Sequence, residues 1–210
     1  MNQWAMVEGE RRALAEDLAG LGDSAWDAPS LCTRWRVRDV VGHLLWGERG
    51  PGWGEGLIGL AKNGGNFNRY VARHAIANGN GDPAALLAEF ERHASSHNHP
   101  PATTAVVMLS DTVCHAQDIR RPLGLGHHLS EEVLKAVANV FTVAGFPIGS
   151  KKRIAGIRLV ATDADWTTGQ GPEASGPLEA LVMVMAGRKA ALADVGGPAI
   201  SLLEARLSIG

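Results

Sequence analysis

This 210-residue sequence has few cysteines, little excess charge of one sign and no long apolar runs. Each of these absences excludes a class of protein. Only two cysteines are present, which excludes a disulfide-stapled scaffold and makes a reducing cytoplasm the expected location. The 20 basic and 22 acidic residues give a net charge of −2 without a basic stripe, so no nucleic-acid partner is expected. The longest apolar runs, at 105–109 and 181–186, are too short to cross a membrane, and residues 1–10 do not resemble a signal peptide.

The apolar and charged fractions, 45% and 20%, are those of an ordinary globular protein with a proper core. Helical periodicity dominates up to about residue 149, and β-branched residues become frequent after it. The sequence therefore predicts a mainly α protein, with a helical domain at 1–149 and a small α+β extension at 150–210. Within the extension we expect a strand at 154–162, a hairpin partner at 165–168 and a helix at 178–192.

One segment of the helical part is rich in glycine. Eight glycines and one proline lie between Gly47 and Gly65, a density that predicts a mobile loop or a short broken helix. Long loops of this kind beside a functional site often act as lids. Trp53, within the segment, is a candidate to cover a ligand.

The main chemical signal is Asp111 followed four residues later by His115, inside a helical pattern at 103–121. Residues four apart project side by side from a helix, so a carboxylate and an imidazole form half of a metal site. His43, in the amphipathic run at 37–45, is a candidate for the other half. Two histidines and one carboxylate would leave coordination positions open for water or substrate, as in catalytic sites. The alternatives are a hydrogen-bonded histidine at the edge of a core face and an exposed helical pair.

Other residues near this pattern have weaker signals. Asp118 lies about one turn after His115 and is a candidate to orient its imidazole, with an exposed acid as the alternative. Cys114 points away from His115 and is expected to be a buried structural thiol. His93, His97 and His99 are predicted to mark a polar helix end, with a second metal site as the alternative.

Several of these motifs resemble a known family. The motifs are WDAPS at 26–30, WRVRDVVGHL at 35–44, DTVCHAQDIRRPL at 111–123, and the tail at 157–188, which contains Thr162-Asp163, Trp166, Ser175-Gly176-Pro177 and Gly187-Arg188. Together they resemble the mycothiol-dependent maleylpyruvate isomerase family, which belongs to the DinB-like metal-binding four-helix bundles. The match is patchy but spans most of the chain.

The resemblance implies a DinB-like four-helix bundle that holds a divalent metal, typically zinc, through His43, Asp111 and His115. The family usually has glutamate where this chain has the shorter Asp111. The resemblance further implies isomerisation or thiol transfer that uses a low-molecular-weight thiol such as mycothiol. It also makes Arg188 a candidate catalytic residue that binds an anionic substrate or the carboxylate of a thiol.

These observations lead to two functional hypotheses. The first is a metal-dependent thiol transferase or isomerase that acts on a small electrophilic substrate, with the substrate and the thiol as its partners and a homodimer as a candidate assembly. The alternative is a non-catalytic metal- or ligand-binding bundle that serves as a sensor or dimerisation module. A fourth protein ligand that closes the metal site, such as Cys114 or Asp118, would favour the alternative.

Overall fold

The computed structural model describes residues 2–49, 52–126 and 128–208. The chain folds into two units, Met1–Gly126 and His127–Gly210. The first unit is helical, and the second combines helices with a three-stranded sheet. This architecture confirms the predicted fold class, a mainly α protein whose small α+β part follows a helical bundle.

Four helices of the first unit form a closed ring of neighbours. Helix α1 packs against α6 and α7, and α3 packs against the same two helices. Their apolar faces enclose one core that includes Leu14, Val41, Leu45, Phe90 and Ile119. The helices of this unit are α1 (Gln3–Ala19), α2 (Asp23–Trp26), α3 (Val37–Arg49), α4 (Trp53–Lys62), α5 (Phe67–Gly79), α6 (Pro83–His93) and α7 (Ala105–Leu123).

Two glycines allow α5 to approach α3 closely, next to His43. A Cβ atom added at Gly42 would lie 2.5 Å from the backbone nitrogen of Gly79. One added at Gly79 would lie 2.6 Å from Oδ1 of Asp39. Any larger residue at either position would push the two helices apart, so these glycines fix the position of α3 relative to α5.

Local sequence signals set two of the helix boundaries. The Asp82 side chain accepts a hydrogen bond from the Ala85 backbone at 3.1 Å, and proline follows it at the first helical position. Helix α7 extends to Leu123, beyond the predicted end at 121, and Gly124 follows it in the left-handed conformation (φ +66°) that favours glycine.

The glycine-rich segment contains more regular structure than a loop. Helix α3 continues to Arg49, and α4 occupies Trp53–Lys62, which matches the short helix that was one of the two predictions. Residues 50 and 51 lie outside the described part of the chain. Helix α4 buries none of its residues, and Trp53 and Leu57 are each 68% exposed. Whether the segment acts as a lid stays a prediction.

The second unit is built on α10 (Leu178–Met185), an almost wholly apolar helix that is buried among α8 (Glu131–Val143), the sheet and the following turns. Strand β1 (Arg158–Ala161) pairs antiparallel with β2 (Thr167–Thr168), which is the predicted hairpin. It pairs in parallel with β3 (Glu173–Gly176), a strand that the sequence analysis did not predict. The remaining helices are α9 (Ser150–Arg153), a 3-10 helix (Lys189–Asp194) and α11 (Ile200–Leu207).

The helix predicted at 178–192 is interrupted. Gly187 has φ +97° and ends α10, so the 3-10 helix that follows is a separate element. The second unit also includes α8, whereas the sequence placed the domain boundary at 149/150; that boundary stays a proposal. Within the described residues, no helix is both long and apolar enough to span a membrane.

Candidate metal centre

The packing of α3 against α7 brings the three predicted ligands together. The Nε2 atoms of His43 and His115 each lie 3.5 Å from the same oxygen, Oδ1 of Asp111. The two imidazole rings meet edge to face, with centroids 4.6 Å apart. Both histidine side chains are nearly buried, while the Asp111 side chain is one-third exposed. The cluster is therefore enclosed on the side of the core and open on one side.

The spacing of these atoms suits a bound cation better than direct hydrogen bonds. A good N–H···O bond spans about 2.7 to 3.2 Å, less than the two separations of 3.5 Å. In a tetrahedral site with bonds of about 2.1 Å, neighbouring ligand atoms lie about 3.4 Å apart. One ligand atom from each of the three residues lies within 4.8 Å of the others. Two imidazoles and a carboxylate therefore fit a divalent metal that binds both nitrogen and oxygen ligands, such as zinc.

Asp118 fixes the tautomer of His115. Its Oδ2 lies 2.9 Å from Nδ1 of His115, and its side chain is completely buried. A carboxylate accepts the proton on Nδ1, which leaves the lone pair of Nε2 directed at Asp111 and His43. This arrangement of carboxylate, histidine and metal site is the usual support for a histidine ligand.

Cys32 is a neighbour of this pair that the sequence analysis did not identify. Its Sγ donates to Oδ2 of Asp118 at 2.9 Å and lies 3.5 Å from Nδ1 of His115. The loop that carries it is held against α7 by a hydrogen bond from the Leu31 backbone to the Asp118 carbonyl, 3.0 Å long. Asp118 thus accepts from both a thiol and an imidazole. No local spacing reveals Cys32, because 83 residues separate it from His115.

Aromatic rings cover the histidines. Trp35 is stacked beside His115 with ring centroids 6.0 Å apart, and its centroid lies 5.2 Å from that of His43. Trp46 lies 6.4 Å from His43. The Nδ1 atom of His43 is buried and has no hydrogen-bond partner within the described residues. His43 is therefore positioned by packing against these rings, whereas His115 is positioned by hydrogen bonding.

A buried ion pair lies beside the cluster and was also missed from the sequence. Nε of Arg11, on α1, is 3.0 Å from Oε1 of Glu48, on α3, and both side chains are at most 2% exposed. Burial raises the pKa of Glu48 to about 7, against the lowering effect of Arg11, and the charge of Asp111 raises it further. Burial likewise lowers the pKa of Arg11, against the raising effects of Glu48 and Asp111. Desolvation is thus the largest cause of the pKa shifts of both Arg11 and Glu48.

The remaining predicted residues of the first unit supply no ligand atom to this cluster. Cys114 is buried, as predicted, and both cysteines are free of disulfide bonds. His97 stacks on Trp4 with ring centroids 4.6 Å apart. His93, His97 and His99 form no group of three metal-ligand atoms within the described residues.

Arg188 belongs to the second unit, where it is half-buried and its Nη1 donates to the Ala186 carbonyl at 2.9 Å. Burial lowers the pKa of Arg153 in the same unit, and the charge of Arg188 lowers it further. The catalytic role that the resemblance implied for Arg188 stays a prediction.

The role of Asp118 leads to a measurable expectation. We expect Asp118→Asn to weaken zinc binding by about 10- to 100-fold, because a neutral amide no longer raises the basicity of His115. Zinc affinity is measured by competition with a chromophoric chelator. Asp23→Asn, at an exposed position on α2, serves as the matched control and should leave the affinity unchanged. Equal zinc affinity in Asp118→Asn and the unmodified protein would contradict this role.

The helical part of the chain matches a known family. Residues 7–120 match the family model described as the mycothiol maleylpyruvate isomerase N-terminal domain. The matched range is more than half of the chain and contains His43, Asp111 and His115, whereas Arg188 lies outside it. The search of curated proteins returned no match.

Two solved structures share the fold. They are the crystal structure of the mycothiol-dependent maleylpyruvate isomerase and that of a histidine-to-alanine mutant of the enzyme. Each is 14% identical in sequence to this chain, and each comparison covers 93% of this chain and 91% of the other. The TM-scores are 0.64 and 0.63, which show the same fold despite the low identity.

Proposed function

The chain belongs to the mycothiol maleylpyruvate isomerase family, and from this premise we propose that it is a metal-dependent enzyme. The enzyme would use a low-molecular-weight thiol such as mycothiol, either to isomerise a small electrophilic substrate or to transfer the thiol to it. The observation that carries the proposal is the convergence of His43, Asp111 and His115 on one point. This convergence lies within the part of the chain that matches the family.

The three converging residues would hold the metal, and zinc suits their nitrogen and oxygen atoms. Once bound, the metal would keep a coordinated thiol in the thiolate form at neutral pH, which makes the thiol nucleophilic. Asp118 holds the proton of His115 on Nδ1 and so keeps Nε2 available as a ligand. Trp35 packs beside both histidine rings.

Asp111 replaces the glutamate that is usual in the family. Its carboxylate is one methylene shorter, yet Oδ1 reaches both histidines at equal distances of 3.5 Å. The shorter side chain is therefore compatible with a metal shared by both histidines. We infer that Asp111 is a ligand in this protein.

Two further assignments are part of the proposal. Arg188 would bind the negative charge of the substrate or of the thiol, as the resemblance implies. The expected cytoplasmic location and homodimer stay predictions.

The non-catalytic alternative predicted a site closed by a fourth protein ligand. Asp118 instead contacts Nδ1 of His115, the nitrogen that faces away from Asp111. The described residues contain two groups of three metal-ligand atoms, one from His43, Asp111 and His115 and one from Cys32, His115 and Asp118, and Cys114 belongs to neither. The partial exposure of Asp111 leaves room for an exogenous ligand, which favours the enzyme.

The proposal is tested by an assay of thiol-dependent isomerisation with zinc-loaded protein, mycothiol and maleylpyruvate. We expect Asp111→Asn to lower kcat/KM by at least about 100-fold, which corresponds to about 3 kcal/mol of transition-state stabilisation. Asp111→Glu is the matched control, since it keeps a carboxylate at the position and should retain metal and activity.

Two outcomes would overturn the proposal. One is isomerisation that persists at the same rate after chelation of the metal. The other is a zinc-loaded protein that fails to turn over maleylpyruvate and related electrophiles with any low-molecular-weight thiol, which would favour the binding protein instead.

A further inference from the structure

A second candidate binding site lies between α4 and α5, in the first unit. The structure contains a cavity of about 280 Å³ there, large enough for a small organic molecule. It is lined by Gly59, Lys62, Asn63, Arg73, His74 and Ala77. The proposed metal ligands are not among these residues.

The lining is cationic. Lys62 and Arg73 carry positive charge, and the six lining residues include no acid. Within the described residues, neither Lys62 nor Arg73 has a carboxylate within 4.0 Å, and Arg73 Nη1 instead contacts Oδ1 of Asn63 at 3.4 Å. By contrast, Arg49 in the same unit binds Glu89 at 2.6 Å. The positive charge of the cavity is thus not neutralised by ion pairs within the described chain.

The wall of the cavity is ordered by side-chain contacts. Asn63 is 7% exposed, and its Nδ2 donates to the Gly59 carbonyl at 2.8 Å, so its Oδ1 is directed at Arg73. Gly59 packs against the ring of Tyr70, where an added Cβ atom would lie 2.0 Å from the ring. The close contact between α4 and α5 therefore places Lys62 and Arg73 on the lining of the same cavity.

An aromatic ring connects the cavity to the metal centre. Trp46 stacks on His74 with ring centroids 5.0 Å apart and an interplanar angle of 19°, and it also contacts His43. The Nε1 atom of Trp46 is buried and has no hydrogen-bond partner within the described residues. A ligand that contacts His74 would therefore change the surroundings of this indole.

We propose that this cavity binds a small organic carboxylate, with Arg73 and Lys62 as its charged contacts and Asn63 as the residue that orients Arg73. Lysine and arginine side chains that lack carboxylate partners bind a carboxylate through charge-assisted hydrogen bonds. The carboxylate could belong to the substrate or to the thiol. Binding depends on the cavity alone and does not require the metal, so its failure is distinguishable from failure of the proposed function.

The test uses metal-free His43→Ala protein, which removes the competing interaction of a carboxylate with a metal. Maleate represents an unsaturated dicarboxylate substrate, and N-acetylcysteine represents a thiol that carries a carboxylate. Each is titrated by isothermal calorimetry and by the NMR signal of the Trp46 indole N–H, which Trp46→Phe assigns. We expect saturable binding of at least one probe, together with a shift of that signal.

In the same background, Arg73→Gln should raise Kd at least about tenfold, because one charge-assisted hydrogen bond is lost. Arg69→Gln is the matched control: it removes an exposed arginine one turn earlier on α5 that does not line the cavity. Binding of maleate alone assigns the cavity to the substrate, and binding of N-acetylcysteine assigns it to the thiol. Equal affinities in Arg73→Gln and Arg69→Gln, or no binding of either probe up to about 10 mM, would overturn the proposal.

Discussion

Replacing His43 or His115 with alanine should reduce bound metal from near one ion per chain to a trace, while the helical fold is retained. Each histidine supplies one of three ligand atoms that lie within 4.8 Å of one another, and two remaining ligands bind a divalent ion far more weakly than three. Metal content is measured by mass spectrometry on untagged protein loaded with zinc, and the fold by circular dichroism. Both variants should lose metal, because each removes one of the three ligands.

A matched control distinguishes loss of the centre from loss of a histidine anywhere. His97→Ala removes an exposed histidine that stacks on Trp4, so its metal content should equal that of the unmodified protein. Zinc retained by either His43→Ala or His115→Ala would remove that residue from the ligand set. A protein that binds no metal after reconstitution with zinc, nickel or iron would contradict the whole centre.

The second large effect concerns stability. Arg11→Met should destabilise the protein by about 3–5 kcal/mol at pH 8, because it leaves the buried Glu48 carboxylate without its cation. The free energy of unfolding is measured by urea denaturation. Arg12→Met, at the adjacent position on α1, removes an exposed pair with Glu8 and should cost less than about 1 kcal/mol.

The double variant Arg11→Met/Glu48→Leu distinguishes the stabilisation that the ion pair provides from the cost of a buried carboxylate without a partner. We expect it to recover most of the lost stability, since apolar residues of similar volume replace buried ion pairs well. If the double variant is as unstable as Arg11→Met, loss of packing and not the unpaired carboxylate causes the effect.

The same pair gives stability a pH dependence of known sign. Because the pKa of Glu48 is raised to about 7 in the folded state, the folded protein binds more protons than the unfolded chain between about pH 4.5 and 7. The contribution of Glu48 to stability is therefore largest at acidic pH and falls as pH rises through this window. In Glu48→Gln this contribution is absent, so the difference in stability between the two proteins should vary with pH in that range. A difference that is constant from pH 5 to 8 would contradict the raised pKa.

Features that depend on neighbours along the chain were predictable before the fold was known. The Asp82-Pro83 pair marked the start of α6, and the spacing of Asp111 and His115 placed two candidate ligands on one face of α7. The change from helical to alternating patterns near residue 150 indicated where the small sheet would form. Helix caps and i,i+4 pairs are local, so their physics can be read without knowledge of the fold.

The surroundings of those candidate ligands depend on tertiary packing. Cys32 reaches Asp118, and Arg11 reaches Glu48, because loops and helices distant in sequence pack against α3 and α7. The approach of α5 to α3 depends on Gly42 meeting Gly79, a contact that no periodicity encodes. The parallel strand β3 was missed for a similar reason, since its partner lies across a long connection and not in a hairpin. The spacing of Asp111 and His115 is thus a property of one helix and can be read from the sequence. The third ligand position, and the burial, charge and hydrogen bonds around the centre, arise only when separate helices pack.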